Sequence, residues 1–557
     1  VRVSEALVRM LEQAGVEVIF GLCGDTSLPF YEALAGSGLR HVLTRDERSA
    51  SYMADAYARL SGRVGVCEGP SGGGTTYIIP GLAEANQSSV PLVAFTSDID
   101  LRHRERGSLT ELDQDALFRP VTLWTRTPTS AEELPRAVRE AFRRAVSGGL
   151  GATHLTLPLN VQEGQVPDEE VFIDPSLSRY PAGRTAPRPE AVRQAARLLR
   201  ESRSPVIVAG AGVIRAEAWP ELERLVRLLG CPVATSISGK GAIAETDPLS
   251  LGVIGSNGGL AWRHQFVQRA DLVFYVGCQA GSVTTDKWTV PRNRSTAVIQ
   301  LDVDPTHLGR NYEIKEGLLA DAKLGLAALV EELEDRLSGR SLAKVDPESI
   351  ARERAAHLAR LDEFHSEARP IRPERFLTEL FKVLPEEALV LADPGTPTPY
   401  LAAYYRLPRA GRWFVAPRAH GALGYSLPAC LGAHLARPHS RVWSLMGDGS
   451  FGISAGELET IARLSPPVVL IVLANSCYGW IKAGQKARGD DYFGVDFSTT
   501  DHARVAEAYG LKSRRVEDPG DLAKALAWAA AAQGPVLLDV VVQPLQESKA
   551  PVAKWIA

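Results

Sequence analysis

Short apolar runs alternate with amphipathic stretches from the first residues of the chain almost to its end, and nothing else in the sequence limits the fold as tightly. "VEVIFG", "GVCEG", "PLVAFTS" and "THLTLPL" open the series, with helix-spaced apolar residues between them. That grammar implies α/β architecture with doubly wound parallel sheets. A polar, proline-bearing stretch, "DPSLSRYPAGRTAPRP" (174–189), interrupts it, and a second unit begins at "SPVIVAGAGV" and runs through "CPVATSI", "DLVFYVG" and "TAVIQLDVD". A charged helical linker (346–370) leads to a third unit, from "ALVLADPG" to "PVLLDVVVQ". The expected division is 1–173, 187–340 and 371–545, with a tail at 546–557. A chain of 557 residues suits such a count, at roughly 150–200 residues per domain. The first and third units share the same strand–loop–helix grammar, as an ancient duplication would leave it.

Charge and cysteine usage then exclude several classes of function. A net charge of -4 gives no reason to expect nucleic acid or an acidic membrane surface. Six scattered cysteines form no CxxC pair, which argues against disulfides or zinc and for a reducing compartment. No apolar run approaches the roughly 20 residues of a membrane helix, and the start reads as helix then strand rather than a signal peptide. The expectation is a soluble cytoplasmic protein.

The stretch "SLMGDGSFGISAGELETIARLSPPVVLIVLANSCYGW" (444–480) carries the chemistry. It reads as a strand ending at Leu445, a loop, a helix with Leu458, Ile461, Ala462 and Leu464 on one face, and a strand ending at Ala474. Ligands gather at the carboxyl ends of such strands, so Asp448 and Asn475 are expected as neighbours there. A Gly-Asp-Gly alone fits an ordinary turn equally well. A carboxylate and an amide oxygen at adjacent strand ends suit magnesium, which shares its oxygen ligands with phosphates; the backbone carbonyl of Cys477 adds another. Gly449 and Ser450 offer N–H groups to a diphosphate.

This segment resembles the diphosphate-binding signature of thiamine-diphosphate-dependent enzymes, and the likeness to the acetolactate synthase and 2-oxo acid decarboxylase group extends along the chain. "RDERSASYMADAYARLSG" (45–62) is similar to the segment carrying that group's catalytic glutamate, and "GPSGGGTTYIIPGLAEANQSSVPLVAFTSD" follows it. "LTELDQDALFRPVT" matches at Glu111 and Asp113, and "AHGALGYSLPACLGAHLARP" (419–438) resembles the loop that holds the aminopyrimidine ring. "GKGAIAETDPLSLGVIG" and "LDVDPTHLGRNY" resemble the middle domain. The resemblance implies pyrimidine-binding, middle and diphosphate-binding domains in that order, with thiamine diphosphate and Mg2+ as cofactors. It implies Glu47 as the carboxyl group at the pyrimidine nitrogen, which its neighbours should bury; by itself Glu47 reads rather as a surface charge, like Asp46 and Arg48. It places Leu423 under the bend of the cofactor and Gly421 at the pyrimidine edge. Gly395 and Thr396 of "DPGTPT", with His420, Tyr478 and Gly479, complete the cofactor-binding set. It also implies a homodimer or homotetramer in which Glu47 and Asp448 of one site come from different subunits.

Other features are less specific. "GAG" (210–212) lacks the third glycine of a dinucleotide turn, and Gln279 stands where the family's flavin-binding members carry arginine, so FAD is not favoured. His420 fits a substrate contact or a structural histidine. Cys23, Gly24, Trp480 and Gly484 are candidate substrate contacts. Acetolactate synthases carry Tyr-Gly-Met-Val-Arg-Gln-Trp-Gln after the magnesium loop, and this chain reads "YGWIKAGQ" (478–485), which puts Gly484 at the tryptophan position and Trp480 at the methionine's. A wider acceptor pocket follows, unless Trp480 swings into the same space. The expected activity is decarboxylation of a 2-oxo acid with carboligation to a carbonyl acceptor. Simple decarboxylation, cleavage of an acyloin or diketone, and a non-catalytic nucleotide-binding subunit are the alternatives.

Overall fold

Eighteen strands assemble into three six-stranded sheets in a computed structural model that describes residues 1–292, 294–337 and 341–553. The last four residues of the expected tail, 554–557, and the end of the expected middle unit, 338–340, lie outside the described residues. Neighbouring strands within each sheet run parallel, as in the pairs Val442–Gly447 with Val468–Ala474 and Val468–Ala474 with Val536–Val541. With each sheet's strands numbered along the chain, the spatial order is 2-1-3-4-6-5 in the first and third sheets and 3-2-1-4-5-6 in the middle one. The first and third units thus share a topology as well as a grammar. Burial on both faces explains the near-continuous apolar strands: Val468–Ala474 has every residue buried.

The first and third units are joined by a shared core. Helix Glu47–Ser61 lies against helix Ser426–Ala436, and Met53, Tyr52, Leu431 and Leu470 belong to one buried cluster. The Tyr52 and Tyr425 rings stand 5.1 Å apart, and the Tyr425 hydroxyl donates to Asp55 at 2.5 Å. Gly432 lets the two helix backbones approach, since a Cβ there would run into the Met53 carbonyl. Among the described residues, no helix is long and apolar enough to cross a membrane.

One local expectation is corrected. The strand before Asp448 does not stop at Leu445. Met446 and Gly447 continue the ladder opposite Val472 and Leu473, and helix Asp448–Ser454 begins at once, without a loop. The helix expected over "SAGELETIARL" is also divided: Ser454 leaves helical geometry (φ −123°, ψ 11°), a 3-10 turn covers Ala455–Glu457, and helix Leu458–Leu464 follows.

Candidate active site

Three strand ends of the third sheet meet where the order of connection reverses, between Leu389–Ala392 and Val442–Gly447, with Val468–Ala474 alongside. Each delivers a polar residue at its carboxyl end: Asp393, Asp448 and Asn475. Asp448, 5% exposed, accepts backbone N–H groups from Asn475 (2.7 Å), Ser476 (2.6 Å) and Gly449 (2.9 Å). These bonds set the carboxylate's orientation and fasten the second strand end to the first. Desolvation raises its pKa, against the lowering effect of those donors. The Asn475 side-chain oxygen accepts from the Cys477 thiol at 3.4 Å, and the Cys477 carbonyl accepts from Gly479 N–H at 2.9 Å.

A cavity of about 270 Å³ opens beside Asp448 and Cys477; Asn475, bonded to both, is not among its lining residues. Gly395, Thr396, Gly421 and Leu423 line one part of it; Asp448, Gly449, Ser450, Cys477, Tyr478, Gly479 and Trp480 line the rest. Most of the expected cofactor set is therefore in one place. The residues present fit a diphosphate with a divalent cation. A Cβ at Gly395, Gly421 or Gly447 would point into open space, so the wall is cut back where a ligand would lie. Among the described residues, no cluster of three or more His, Cys, Asp or Glu side chains is arranged to hold a metal by itself. The oxygen donors at hand are one carboxylate, one amide and one carbonyl, a partial set of the kind magnesium completes with phosphate and water.

Glu47 is not among the residues lining that cavity; every lining residue belongs to the third unit. It opens helix Glu47–Ser61, where Asp46 caps the helix through Arg48 N–H (2.7 Å) and pairs with the Arg48 guanidinium (2.8 Å). Glu47 itself is turned inward and 6% exposed. Its carboxyl lies beside Gly69 and Gly74, where a Cβ on Gly74 would come within 2.8 Å of Oε1. Burial raises its pKa, and the nearby Asp46 and Glu68 carboxylates push it further the same way. Glu68 is a second buried carboxylate that the sequence did not flag. It accepts from the Tyr31 hydroxyl, which in turn meets His41 Nε2 at 3.0 Å.

The remaining expected residues lie elsewhere. His420 is exposed and outside the cavity, with its backbone N–H bonded to Glu84 at 2.8 Å. Gly484, on helix Gly479–Arg488, does not line the cavity, whereas Trp480, one turn earlier on the same face, does. Cys23 and Gly24 follow the first strand of the first sheet, with Gly24 packed against Pro70. Two further residues belong with the site. Asp393, fully buried and pushed up to about 6 by desolvation, accepts from Ser426 N–H (2.8 Å) and from the Ser426 and Ser450 hydroxyls (3.1 and 3.0 Å). It ties the 393–398 loop to the helix after Gly447; its signal was a carboxylate at a strand end, just before Pro-Gly. Arg418 lines the cavity as well, and nothing in its local sequence announced it.

The middle sheet carries its own cleft at its strand ends. Gly210 and Gly212 follow strand Pro205–Ala209, and Gly277 and Gln279 follow Leu272–Val276. Two adjoining cavities there share Arg215, Gly277 and Gln279, and the second also reaches Arg418.

Residues 1–117 match the N-terminal TPP binding domain of thiamine pyrophosphate enzymes, 192–329 their central domain, and 393–540 their C-terminal TPP binding domain. Among curated relatives, a probable acetolactate synthase large subunit of Methanocaldococcus jannaschii is 33% identical over 98% of this chain and 92% of its own length. A probable 2-ketoarginine decarboxylase of Pseudomonas aeruginosa is 34% identical, over 96% and 93%. The chloroplastic acetolactate synthase 2 of Nicotiana tabacum is 31% identical, over 99% and 83%.

Proposed function

The chain belongs to the thiamine pyrophosphate enzyme family, and we propose that it decarboxylates a 2-oxo acid and joins the remaining fragment to a carbonyl acceptor. The observation that carries this reading is the cavity in which Asp448, beside Asn475, faces the glycine-lined wall and Leu423. Thiamine diphosphate, when bound there, supplies a carbon nucleophile that adds to the keto carbon and accepts the electron pair left by carbon dioxide. Asp448, the Asn475 side-chain oxygen and the Cys477 carbonyl would hold Mg2+ against the diphosphate. Gly449 and Ser450 would offer backbone N–H groups to it. Leu423 would support the bend of the cofactor, with Gly421 at its pyrimidine edge.

Glu47 supplies the proton chemistry. Burial, with Asp46 and Glu68 nearby, raises its pKa and so favours the protonated form, which suits a carboxyl that exchanges a proton with a ring nitrogen. The resemblance puts Glu47 and Asp448 of one site on different subunits, and a cavity lined, among the described residues, by the third unit alone is consistent with that. A homodimer, or a tetramer built from two, is the assembly this reading takes. FAD is not favoured for the middle cleft, because Gln279 lines it where the flavin-binding members carry arginine. A stoichiometric flavin spectrum in the purified protein would overturn that reading.

Two variants of the reaction have support. The acetolactate synthase relatives favour capture by a second carbonyl; the 2-ketoarginine decarboxylase relative, equally similar, favours capture by a proton. A non-catalytic subunit would have no use for Glu47, Asp448 and Asn475 together. The test is a panel of 2-oxo acids, each alone and with aldehyde or 2-oxo acid acceptors, with products identified by mass spectrometry. Carboligation products are expected; release of carbon dioxide with only the aldehyde formed would establish the decarboxylase, and no turnover with cofactor bound would refute both.

A further inference from the structure

Among the described residues, the cavity beside Asp448 is lined by a single basic side chain, Arg418. It precedes the loop that carries Gly421 and Leu423, and two features fix its place. The loop is held by Glu84, whose carboxylate accepts the N–H groups of Ala419 (3.2 Å) and His420 (2.8 Å). The guanidinium lies over the Trp480 ring, 5.5 Å from its centroid. On the other side lies the Asn257 amide, whose oxygen accepts from Nη2 (2.8 Å) and Nε (3.2 Å) when the amide is turned to satisfy its hydrogen bonds.

These contacts orient Arg418 without neutralising it. The acidic group that acts on it is Glu84, and Glu84 is already engaged by Arg59 Nη2 (3.1 Å), the Ser88 hydroxyl (2.7 Å) and the two loop N–H groups. Among the described residues, no carboxylate forms an ion pair with Arg418, and Glu84 is the acidic group whose charge bears on it. A desolvated guanidinium that lines a cavity and has no carboxylate partner is costly unless an anion completes it. The side chain also lines the adjoining cleft toward the middle unit, so it stands at the mouth between the two spaces.

The chemistry of the reaction decides which anion suits it. A strong cationic contact to the carboxylate that leaves as carbon dioxide would stabilise the ground state and weaken as charge moves away, which slows the step. A contact to a carboxylate that survives the reaction carries no such cost. We propose that Arg418 is the anion-binding residue of the substrate site and holds a carboxylate that is retained in the product. The substrates then include one that carries such a group: a 2-oxo acid acceptor, or a donor with a second carboxylate. This rests on the catalytic reading above.

The experiment uses the full chain loaded with Mg2+ and thiamine diphosphate. Butyrate and its neutral isostere butyramide are titrated by calorimetry into the wild type, Arg418→Gln and Arg418→Lys. Wild type should bind butyrate about tenfold or more tighter than butyramide, the scale of one charge-assisted contact. Arg418→Gln should abolish the difference and Arg418→Lys should restore part of it. In turnover, Arg418→Gln should raise KM for a carboxylate-bearing acceptor far more than for a neutral aldehyde. Equal binding of the two probes by wild type, or discrimination kept in Arg418→Gln, would overturn the proposal. So would weakened thiamine diphosphate affinity in Arg418→Gln, which would assign the side chain to the diphosphate, or slower carbon dioxide release from a monocarboxylic donor, which would assign it to the departing carboxylate. A wild type that discriminates the probes yet turns over no 2-oxo acid would uphold the anion site and refute the catalytic reading, so the two failures are separable.

Discussion

Replacing Asp448 by alanine should have two separable effects, and their sizes follow from its contacts. The carboxylate accepts three backbone N–H groups, from Gly449, Asn475 and Ser476. Each hydrogen bond to a charged group is worth about 1.5–3 kcal/mol, but these donors border a cavity that water can enter, so the loss without ligand should be about 2–3 kcal/mol in all. The second effect concerns ligand. At a concentration about 100 times its dissociation constant, a cofactor stabilises the native state by roughly 2.7 kcal/mol. Asp448→Ala should lose that increment, because the diphosphate charge is left without its bridging cation. The assay is urea unfolding of both proteins, with and without Mg2+ and thiamine diphosphate together, and with each alone. Comparing the ligand-induced shift within each protein avoids treating a three-unit chain as a two-state system. Wild type should shift only with both ligands present, and the variant should not shift. An equal shift in the variant would refute Asp448 as a cation ligand; a lost shift with an unchanged ligand-free transition would refute its role in fastening the two strand ends.

Three other perturbations test different parts of the structure. Glu47→Gln should leave the fold intact and slow exchange of the cofactor's C2 proton by at least about a hundredfold, the usual scale of a positioned acid–base group; an unchanged rate of deuterium uptake by NMR would remove Glu47 from the proton path. Gly432→Ala sets a methyl group against the Met53 carbonyl of the facing helix, so it should destabilise the chain by about 1–3 kcal/mol, and a wild-type urea midpoint would show that the helices can separate freely. His154 is buried between the Thr96 and Thr125 hydroxyls (2.6 and 2.8 Å), with burial pushing its pKa down to about 3. A depressed histidine contributes stability that is present above its unfolded pKa and lost as pH falls, so lowering the pH from about 6.5 to 5 should cost about 2 kcal/mol. The drop in urea midpoint over that range should shrink in His154→Gln; an identical drop in both proteins would refute it.

Much of the chain was legible because its signals are local. Fully buried parallel strands leave uninterrupted apolar runs such as "VVLIVLA", and the intervening helices keep their helical spacing, so three parallel α/β units could be read from pattern alone. Asp448, Asn475 and Cys477 could be read for the same reason: each lies at or just beyond the end of a recognisable strand, and strand ends in such sheets converge. Where the reading failed locally, long-range pairing had decided the outcome. Met446 and Gly447 stay in the sheet because Val472 and Leu473 lie opposite them, which no window of neighbouring residues can encode.

Tertiary structure alone decided which distant segments share a site. Glu47 is buried by glycines more than twenty residues away in sequence, and it stays outside the cavity that Asp448 lines. Trp480 rather than Gly484 lines that cavity, although the two share one face of the helix a turn apart. Arg418 acquires its position from Glu84 in the first unit, Asn257 in the middle unit and Trp480 in the third. The sequence carried the residue types and the period of each element, because those depend on neighbours three or four positions away. The site's electrostatics depend on desolvation and on charges brought together from all three units, and those exist only once the sheets have packed.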